Sequence, residues 1–450
     1  MSTATVTSRV LKKESEIRCE VQENSSLSVK LTAGSAEIFG VEMAPNKEYI
    51  FRDQNIAIFT WYGCTLDISG DDSGLYESDS TPMVSYVNTH VQLEARRDVA
   101  LANKENGPRV LIVGPPEHGK STLAQILAAY AVRLDRTPLM VDLDTDQGSF
   151  CIPGCLTAVP LDKNCLSVET GFKNTTPLVY FHGYTHPKEN TELYRSLVST
   201  LADKINDRQA RDPDSRASGI IVNTGGWIDG EGFNIIMHII QAMSIDIVLV
   251  MSHDKLYSNL TAALKTAPGG VQQVTVVKLP RSGGVVTKDA NTRKRLRKNL
   301  VREYFYGRAA LSSSAPMQSL STTQYSPERR EAVPLSSFTF LRVGGIQLTE
   351  GMQVFGRVTQ QDSFRLTKIT PTKDLAYSVV AVLHTDSSST AAGKGGSSGE
   401  VPQSMLQCNI AGFVSIVQVD VERGVMTLLC PCPGPLPSSY LLVGAVKWME

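Results

Sequence analysis

Gly114, Gly119, Lys120 and Ser121 fall at the spacing G-x-x-x-x-G-K-[ST] within "VGPPEHGKSTLAQILAAY", residues 113–130. Glycines at those positions let backbone N–H groups turn toward phosphate oxygens, and a helix that starts there presents its positive end to the same charge. Lysine reaches the β- and γ-phosphates as a mobile point charge, and the serine hydroxyl ligates Mg²⁺. Pro115, Pro116, Glu117 and His118 fill the variable positions, and Thr122 follows the serine. Two further groups of residues have chemical potential. "PLMVDLDTDQGS" ends in Asp142, Asp144 and Asp146 at period two, and a carboxylate at such a strand tip binds Mg²⁺ or takes a proton from an attacking hydroxyl. "VNTGGWIDGEGF" places Gly225 and Gly226 for close backbone approach beside the flat face of Trp227.

These residues need elements to hold them. "RVLIVG" before the glycine loop is a continuous aliphatic run, which predicts a parallel strand buried on both faces. Leu123, Ile126, Leu127, Tyr130 and Leu134 follow at helical spacing. From Arg109 to about Gly307, strand-like "PLMVDLD", "PLVYF", "GIIVNT", "DIVLVM" and "VTVVKL" alternate with helical segments such as 190–205 and 233–243. That order predicts an α/β fold: a central P-loop doubly wound parallel sheet, with active residues at the C-terminal ends of its strands. It is flanked by a small N-terminal β domain and a C-terminal β-rich domain, giving expected boundaries of 1–105, 106–307 and 308–450. Residues 11–92 read as short strands, and the charged stretch 94–108 as a joining segment. The tract "TDSSSTAAGKGGSSGE", with a low-complexity loop at 385–400, and the polar break 312–331 read as flexible connections.

The most charged segment, "SGGVVTKDANTRKRLRKNLVREYFYG", carries Lys288, Arg293, Lys294, Arg295, Arg297, Lys298 and Arg302 after a Ser-Gly-Gly hinge. It reads as a lid near 282–302 that brings arginines to transferring phosphates. Arg293 and Arg297, four apart on a helix, share a face.

Other readings are excluded or set aside. A formal net charge of −1 over 450 residues rules out a uniformly basic nucleic-acid surface while allowing a local patch. Neither a secretory signal nor an apolar run of membrane-spanning length occurs, so no membrane is expected and an intracellular, soluble chain is. The eight cysteines form no C-x-x-C pair and read as reduced thiols rather than zinc ligands. His182 and His186 have zinc-like spacing, but Gly183 and Pro187 argue against the helix it would need. No N-K-x-D follows the loop, which weighs against a GTPase.

Taken together, "GPPEHGKST", "VDLDTDQGS", "GIIVNTGGW", "SGGVV" and "REYFYG", with "IAIFTWYGC" and "TPMVSYVNTH" upstream, resemble the polyribonucleotide 5′-hydroxyl kinase family of the pre-mRNA cleavage factor subunit, across nearly the whole chain. The resemblance implies transfer of the ATP γ-phosphate to RNA 5′-hydroxyl ends, with ATP and Mg²⁺ as cofactors. The implied partners are 5′-hydroxyl RNA, other subunits of the nuclear cleavage and polyadenylation complex and, as for some animal members, the tRNA splicing endonuclease. It implies a nuclear location, for which the basic run would suit an import signal. In the family's pattern Lys120, Ser121 and Thr122 match the ATP-phosphate and Mg²⁺ residues, and Asp144 the aspartate that activates the hydroxyl and serves the metal site. Gln147 matches a substrate-contacting glutamine, Thr224, Gly226 and Trp227 a substrate clasp, and Arg293 and Arg297 the lid arginines. Glu16 matches a glutamate near the adenine, and Thr185 lies in a substrate-facing G-x-[ST]-x-P segment. The family's usual D-x-G-Q is D-T-D-Q here, placing Asp146 at a glycine position; Lys288 stands where arginine is frequent, and Gly225 where cysteine is. Some members bind ATP without transfer, so the alternative expectation is a catalytically inactive ATP-binding scaffold subunit. The C-terminal domain carries no chemical motif and reads as a docking module.

Overall fold

The computed structural model describes residues 6–22, 25–265, 274–307, 326–343, 366–384 and 403–450. The Gly/Ser tract at 385–400 and most of the polar break lie outside these residues. Seven helices are described: α1 (Met83–Asn103), α2 (Lys120–Arg133), α3 (Thr191–Arg211), α4 (Pro213–Ser218), α5 (Glu231–Ala242), α6 (Asp254–Lys265) and α7 (Ala290–Tyr306). The chain divides into two compact units, one of residues 1–142, 158–177 and 204–289, the other of residues 143–157, 178–203 and 290–450.

In the first unit the N-terminal residues form two antiparallel sheets. One orders Thr7–Leu11, Cys64–Gly70, Leu27–Gly34 and Glu48–Phe51. The other holds five strands, with Ser15–Glu20 paired between Asn55–Thr60 and Leu75–Ser78. Period-two burial explains the arrangement: Leu27, Val29 and Leu31 face a core shared with Ile17, Cys19, Ile56, Ile58 and Leu66.

The same unit carries five parallel strands in the order Leu139–Asp142, Ile220–Asn223, Arg109–Val113, Ile247–Met251 and Thr275–Leu279. All of Arg109–Val113 is buried, as its aliphatic run requires. The chain leaves this central strand toward one side and returns on the other. The topological switch point, where ligands bind in open α/β sheets, therefore lies at its C-terminal end.

Residues 83–108 correct the sequence expectation. They contain no strand and, as far as Asn103, no joining segment, because Met83–Asn103 is one helix of 21 residues. Its buried stripe is Met83, Tyr86, His90, Leu93, Arg97 and Ala100, and it packs on α2 and α4. Two of those positions are polar, which hid the helical period. Arg97, 1% exposed, donates from Nε to the Ser218 carbonyl at 3.0 Å and pairs with Glu94 at 3.1 Å.

In the second unit a seven-stranded sheet orders Glu328–Pro334, Val425–Cys430, Ile410–Asp420, Ser378–Leu383, Tyr440–Lys447, Thr339–Val343 and Leu366–Lys368. The end of the polar break, 328–331, is its edge strand rather than a flexible connection; an edge strand with one neighbour tolerates a polar sequence. Aromatic rings attach α7 to this sheet. Phe305 stacks on Trp448 with centroids 5.6 Å apart, and the Tyr304 hydroxyl accepts the Phe413 N–H at 3.0 Å.

Candidate active site

The glycine loop bridges the Arg109–Val113 strand and α2 as the sequence predicts. Gly119 is the residue before α2 and has φ +79°, a conformation that favours glycine. Glu117 joins it in the left-handed region at φ +57°, so the loop curls over the first turn of the helix. Lys120, 7% exposed, extends back along the loop and donates from Nζ to the Pro115 carbonyl at 2.7 Å. The His118 Nδ1 lies 2.8 Å from the Pro116 carbonyl, a contact that shapes the loop itself. Ser121 is exposed and Thr122 half-buried at the start of α2.

The neighbouring strand tips contribute a hydrogen-bonded chain. Asn223 Nδ2 lies 3.1 Å from Ser121 Oγ and donates to Asp142 Oδ1 at 3.0 Å. Asn223 is 0% and Asp142 1% exposed, and the Asn223 Oδ1 is buried without a hydrogen-bond partner among the described residues. A hydroxyl, a carboxylate and an amide oxygen with spare capacity form a hard-oxygen donor set, the type that suits Mg²⁺ alongside phosphate oxygens. The carboxylate joined to Ser121 through Asn223 is Asp142.

The clasp packs onto the loop. A Cβ at Gly226 would lie 2.5 Å from both the Pro116 nitrogen and Cγ, so only glycine permits this approach. Thr224, 5% exposed, donates its hydroxyl to the Ile112 carbonyl at 2.7 Å, which fastens the clasp to the central strand. Trp227 is half-buried and meets Gly232 in the first turn of α5.

The N-terminal sandwich reaches the same neighbourhood through Arg18, a residue the motif reading passed over. Glu16 and Arg18 lie two apart on one strand and so share a face. Arg18 Nε donates to Glu16 Oε1 at 2.5 Å, and Thr81 donates to Glu16 Oε2 at 2.9 Å. A Cβ on Gly284 would lie 2.6 Å from Arg18 Cδ, and the next residue, Val285, stands 3.4 Å from the Cβ position of Gly119. Glu16, Arg18, the Ser282–Val285 segment and the glycine loop therefore form a continuous packed series within the first unit. Lys288, half-buried, follows that segment.

The remaining sequence-predicted residues belong to the second unit. Asp144, Asp146 and Gln147 lie on a loop whose start is held by the Tyr194 hydroxyl donating to the Leu143 carbonyl at 2.8 Å. The Asp146 N–H donates to Asp144 Oδ1 at 2.9 Å, and Gln147 Nε2 lies 3.5 Å from Asp146 Oδ2. Arg297 NH1 pairs with Asp146 Oδ1 at 2.5 Å, both side chains about three-tenths exposed. Arg293 is half-buried one turn earlier on α7. Thr185 is half-buried in the turn before Pro187. In the same turn His186 has its pKa lowered by burial and by Lys188, against the opposing pull of Glu189, Asp146 and Asp144. His182 is 2% exposed, with Nδ1 3.2 Å from the Tyr184 carbonyl and Nε2 3.0 Å from that of Asn190, a structural use of both ring nitrogens.

Comparison with known proteins agrees across the length of the chain. Residues 10–100 match the N-terminal beta-sandwich domain of polyadenylation factor, 114–307 the mRNA cleavage and polyadenylation factor CLP1 P-loop, and 326–450 the pre-mRNA cleavage complex II protein Clp1. The chain is 36% identical over 441 residues to the polyribonucleotide 5′-hydroxyl-kinase Clp1 of Rattus norvegicus, covering 98% of this chain and 96% of that one. It is 37% identical over 452 residues to the CLP1 homolog of Arabidopsis thaliana, with 98% and 94% covered. Among solved structures, a Clp1p–Pcf11p complex superposes with TM-score 0.83 at 24% identity, over 100% of this chain and 99% of the other. A second Clp1p–Pcf11p structure, which addresses ATP loss in a point mutant, superposes with TM-score 0.82 at 25% identity over 100% of both chains.

Proposed function

The chain belongs to the Clp1 family of pre-mRNA cleavage and polyadenylation factors, and from that membership we propose that it is an ATP- and Mg²⁺-dependent RNA 5′-hydroxyl kinase. The observation that carries the reading is the intact phosphate loop, in which buried Lys120 and the Ser121–Asn223–Asp142 chain meet at the switch point of the parallel sheet. In this reading the backbone of residues 114–119, Lys120, Ser121 and Thr122 hold the ATP phosphates, and Glu16 borders the adenine. Ser121 and Asp142 hold Mg²⁺, with Asn223 orienting both. When bound, the metal neutralises charge on the phosphoryl group in transfer. Asp144 takes the proton of the RNA 5′-hydroxyl; the freed oxygen bonds to the γ-phosphorus while the bond from that phosphorus to the β–γ bridging oxygen breaks, and ADP departs. Gln147, Thr185, Thr224, Gly226 and Trp227 position the acceptor, and Arg293 and Arg297 stabilise the transferring charge. The same reading keeps three domains, at 1–105, 106–307 and 308–450. A nuclear location and a Pcf11-like partner follow from what the relatives are named for, and a splicing-endonuclease partnership from the same family reading.

A second reading is favoured by one contact. Arg297 is engaged by Asp146, which suits a subunit that holds ATP as a structural element without turnover. Transfer of labelled γ-phosphate from ATP to a short 5′-hydroxyl RNA separates the two. The kinase reading expects transfer by the full chain and none by Lys120→Ala. ATP retention with no transfer by the native chain would leave the scaffold.

A further inference from the structure

We propose that Arg18 is a positioning residue for the phosphate loop, acting through the Ser-Gly-Gly turn that follows the Thr275–Leu279 strand. The proposal rests on the reading of the glycine loop as an ATP site and is independent of turnover. Arg18 is 7% exposed, and its guanidinium is held from two directions by the N-terminal region: Nε donates to Glu16 Oε1 at 2.5 Å, and NH2 donates to the Ser80 carbonyl at 2.8 Å. Its Cζ also lies 5.7 Å from the centre of the Tyr76 ring. Glu16 is fixed in turn by the Thr81 hydroxyl. A planar fork fastened in this way cannot swing aside as the end of a free side chain would.

The turn is shaped to lie on that fork. A Cβ on Gly283 would stand 3.3 Å from Arg18 NH1, and one on Gly284 would stand 2.6 Å from Cδ and 2.7 Å from Nε. The absence of side chains at both positions lets the backbone rest on the arginine. The turn also closes on itself. Ser282 Oγ accepts the Gly284 N–H at 3.2 Å, the Val285 N–H donates to the Ser282 carbonyl at 3.3 Å, and Arg281 NH2 donates to the Val285 carbonyl at 3.0 Å. Just before it, the Tyr86 hydroxyl donates to the Pro280 carbonyl at 2.9 Å, which ties the entry to α1. Held at its entry and seated on Arg18, the turn brings Val285 Cγ2 to 3.4 Å from the Cβ position of Gly119. Gly119 is the left-handed residue, φ +79°, from which α2 starts. A glycine left uncovered there has many conformations to lose when phosphate binds. Val285 covers it and Arg18 holds Val285, so a phosphate meets a loop already set in its binding shape.

Calorimetry on the full chain with Mg²⁺-ATP and with Mg²⁺-tripolyphosphate, which has the phosphates but neither base nor ribose, tests this. Arg18→Lys keeps the charge and loses the fork, whereas Val285→Ala removes the cover and leaves the sandwich untouched. Each is expected to weaken both ligands by the same factor, roughly fivefold, with the double variant no weaker than either single one, since both cut the same series of contacts. Gly284→Ala, with Arg18 and Glu16 still in place, is expected to show the same loss. A loss confined to ATP would overturn the proposal and make Arg18 a contact of the base. Additive losses in the double variant, or native tripolyphosphate affinity in Gly284→Ala, would overturn it as well. A wild type that transfers no phosphate while these affinities behave as expected would remove the kinase reading and leave the role of Arg18 standing.

Discussion

The Asn223 amide nitrogen lies 3.0 Å from Asp142 Oδ1 at the tips of adjacent parallel strands, and from there the same nitrogen reaches Ser121. Removing it in Asn223→Ala leaves the serine and carboxylate unoriented. Groups that orient metal ligands are typically worth 10–100-fold in affinity or activity, and a Mg²⁺ titration of nucleotide binding is expected to show about that loss. Asp144→Ala serves as the contrast, abolishing transfer while Mg²⁺-dependent nucleotide binding stays intact. Equal loss of nucleotide binding in both variants would return the metal to Asp144.

Gly226→Ala places a methyl 2.5 Å from the Pro116 backbone nitrogen, a clash with main chain rather than with a side chain that can swing away. Overpacking of this kind costs about 1–3 kcal/mol, here drawn from the geometry of the phosphate loop. Nucleotide affinity is expected to fall roughly tenfold with the circular dichroism spectrum retained. Native affinity measured by calorimetry would show that loop and clasp are not in register contact.

His90 links stability to pH. It is 6% exposed in α1, its Nδ1 has no partner among the described residues, and burial, with Arg97 and Arg133 adding to it and Glu94 opposing, pushes its pKa from 6.5 down to about 4. The folded state thus refuses a proton that the unfolded chain accepts. Stability is full above pH 6.5 and declines as pH falls toward about 4, by on the order of 3 kcal/mol across the window. Denaturant titrations of wild type and His90→Leu between those limits check this, and a slope unchanged by the substitution refutes it.

Tyr304→Phe deletes the hydroxyl that accepts the Phe413 N–H. A buried donor left without its acceptor costs about 1–3 kcal/mol, and the urea midpoint is expected to drop accordingly. A midpoint within error of wild type would mean that water replaces the hydroxyl.

The phosphate loop, its strand and its helix were legible because three levels agreed: glycine spacing, an aliphatic run before it and a helical stripe after it. α1 was not legible, since His90 and Arg97 occupy its buried face and the charged residues 94–98 resemble a linker until Ser218 and Glu94 are seen to satisfy Arg97. Asp142 and Asp144 could not be ranked from period two alone, which puts both on one face. Asn223, a polar residue at the end of an aliphatic strand, was the available signal for the link between Asp142 and Ser121. Arg18 announced itself only by alternation with Glu16; its contact with Gly284 joins segments far apart in sequence and has no local signature.

The attachment of α7 gives that helix the mechanics of a propped cantilever. Its last turn is built in, by Phe305 on Trp448, Tyr304 on Phe413 and the Tyr306 hydroxyl on Glu450. Arg297 on Asp146 is a prop about 12 Å along the axis from Phe305. A tilt of about 10° at the built-in end would carry the Arg297 position through roughly 2 Å, and the prop resists that swing. A load applied to the C-terminal sheet beside Trp448 is thus shared between the built-in turn and the acidic loop that holds Arg297.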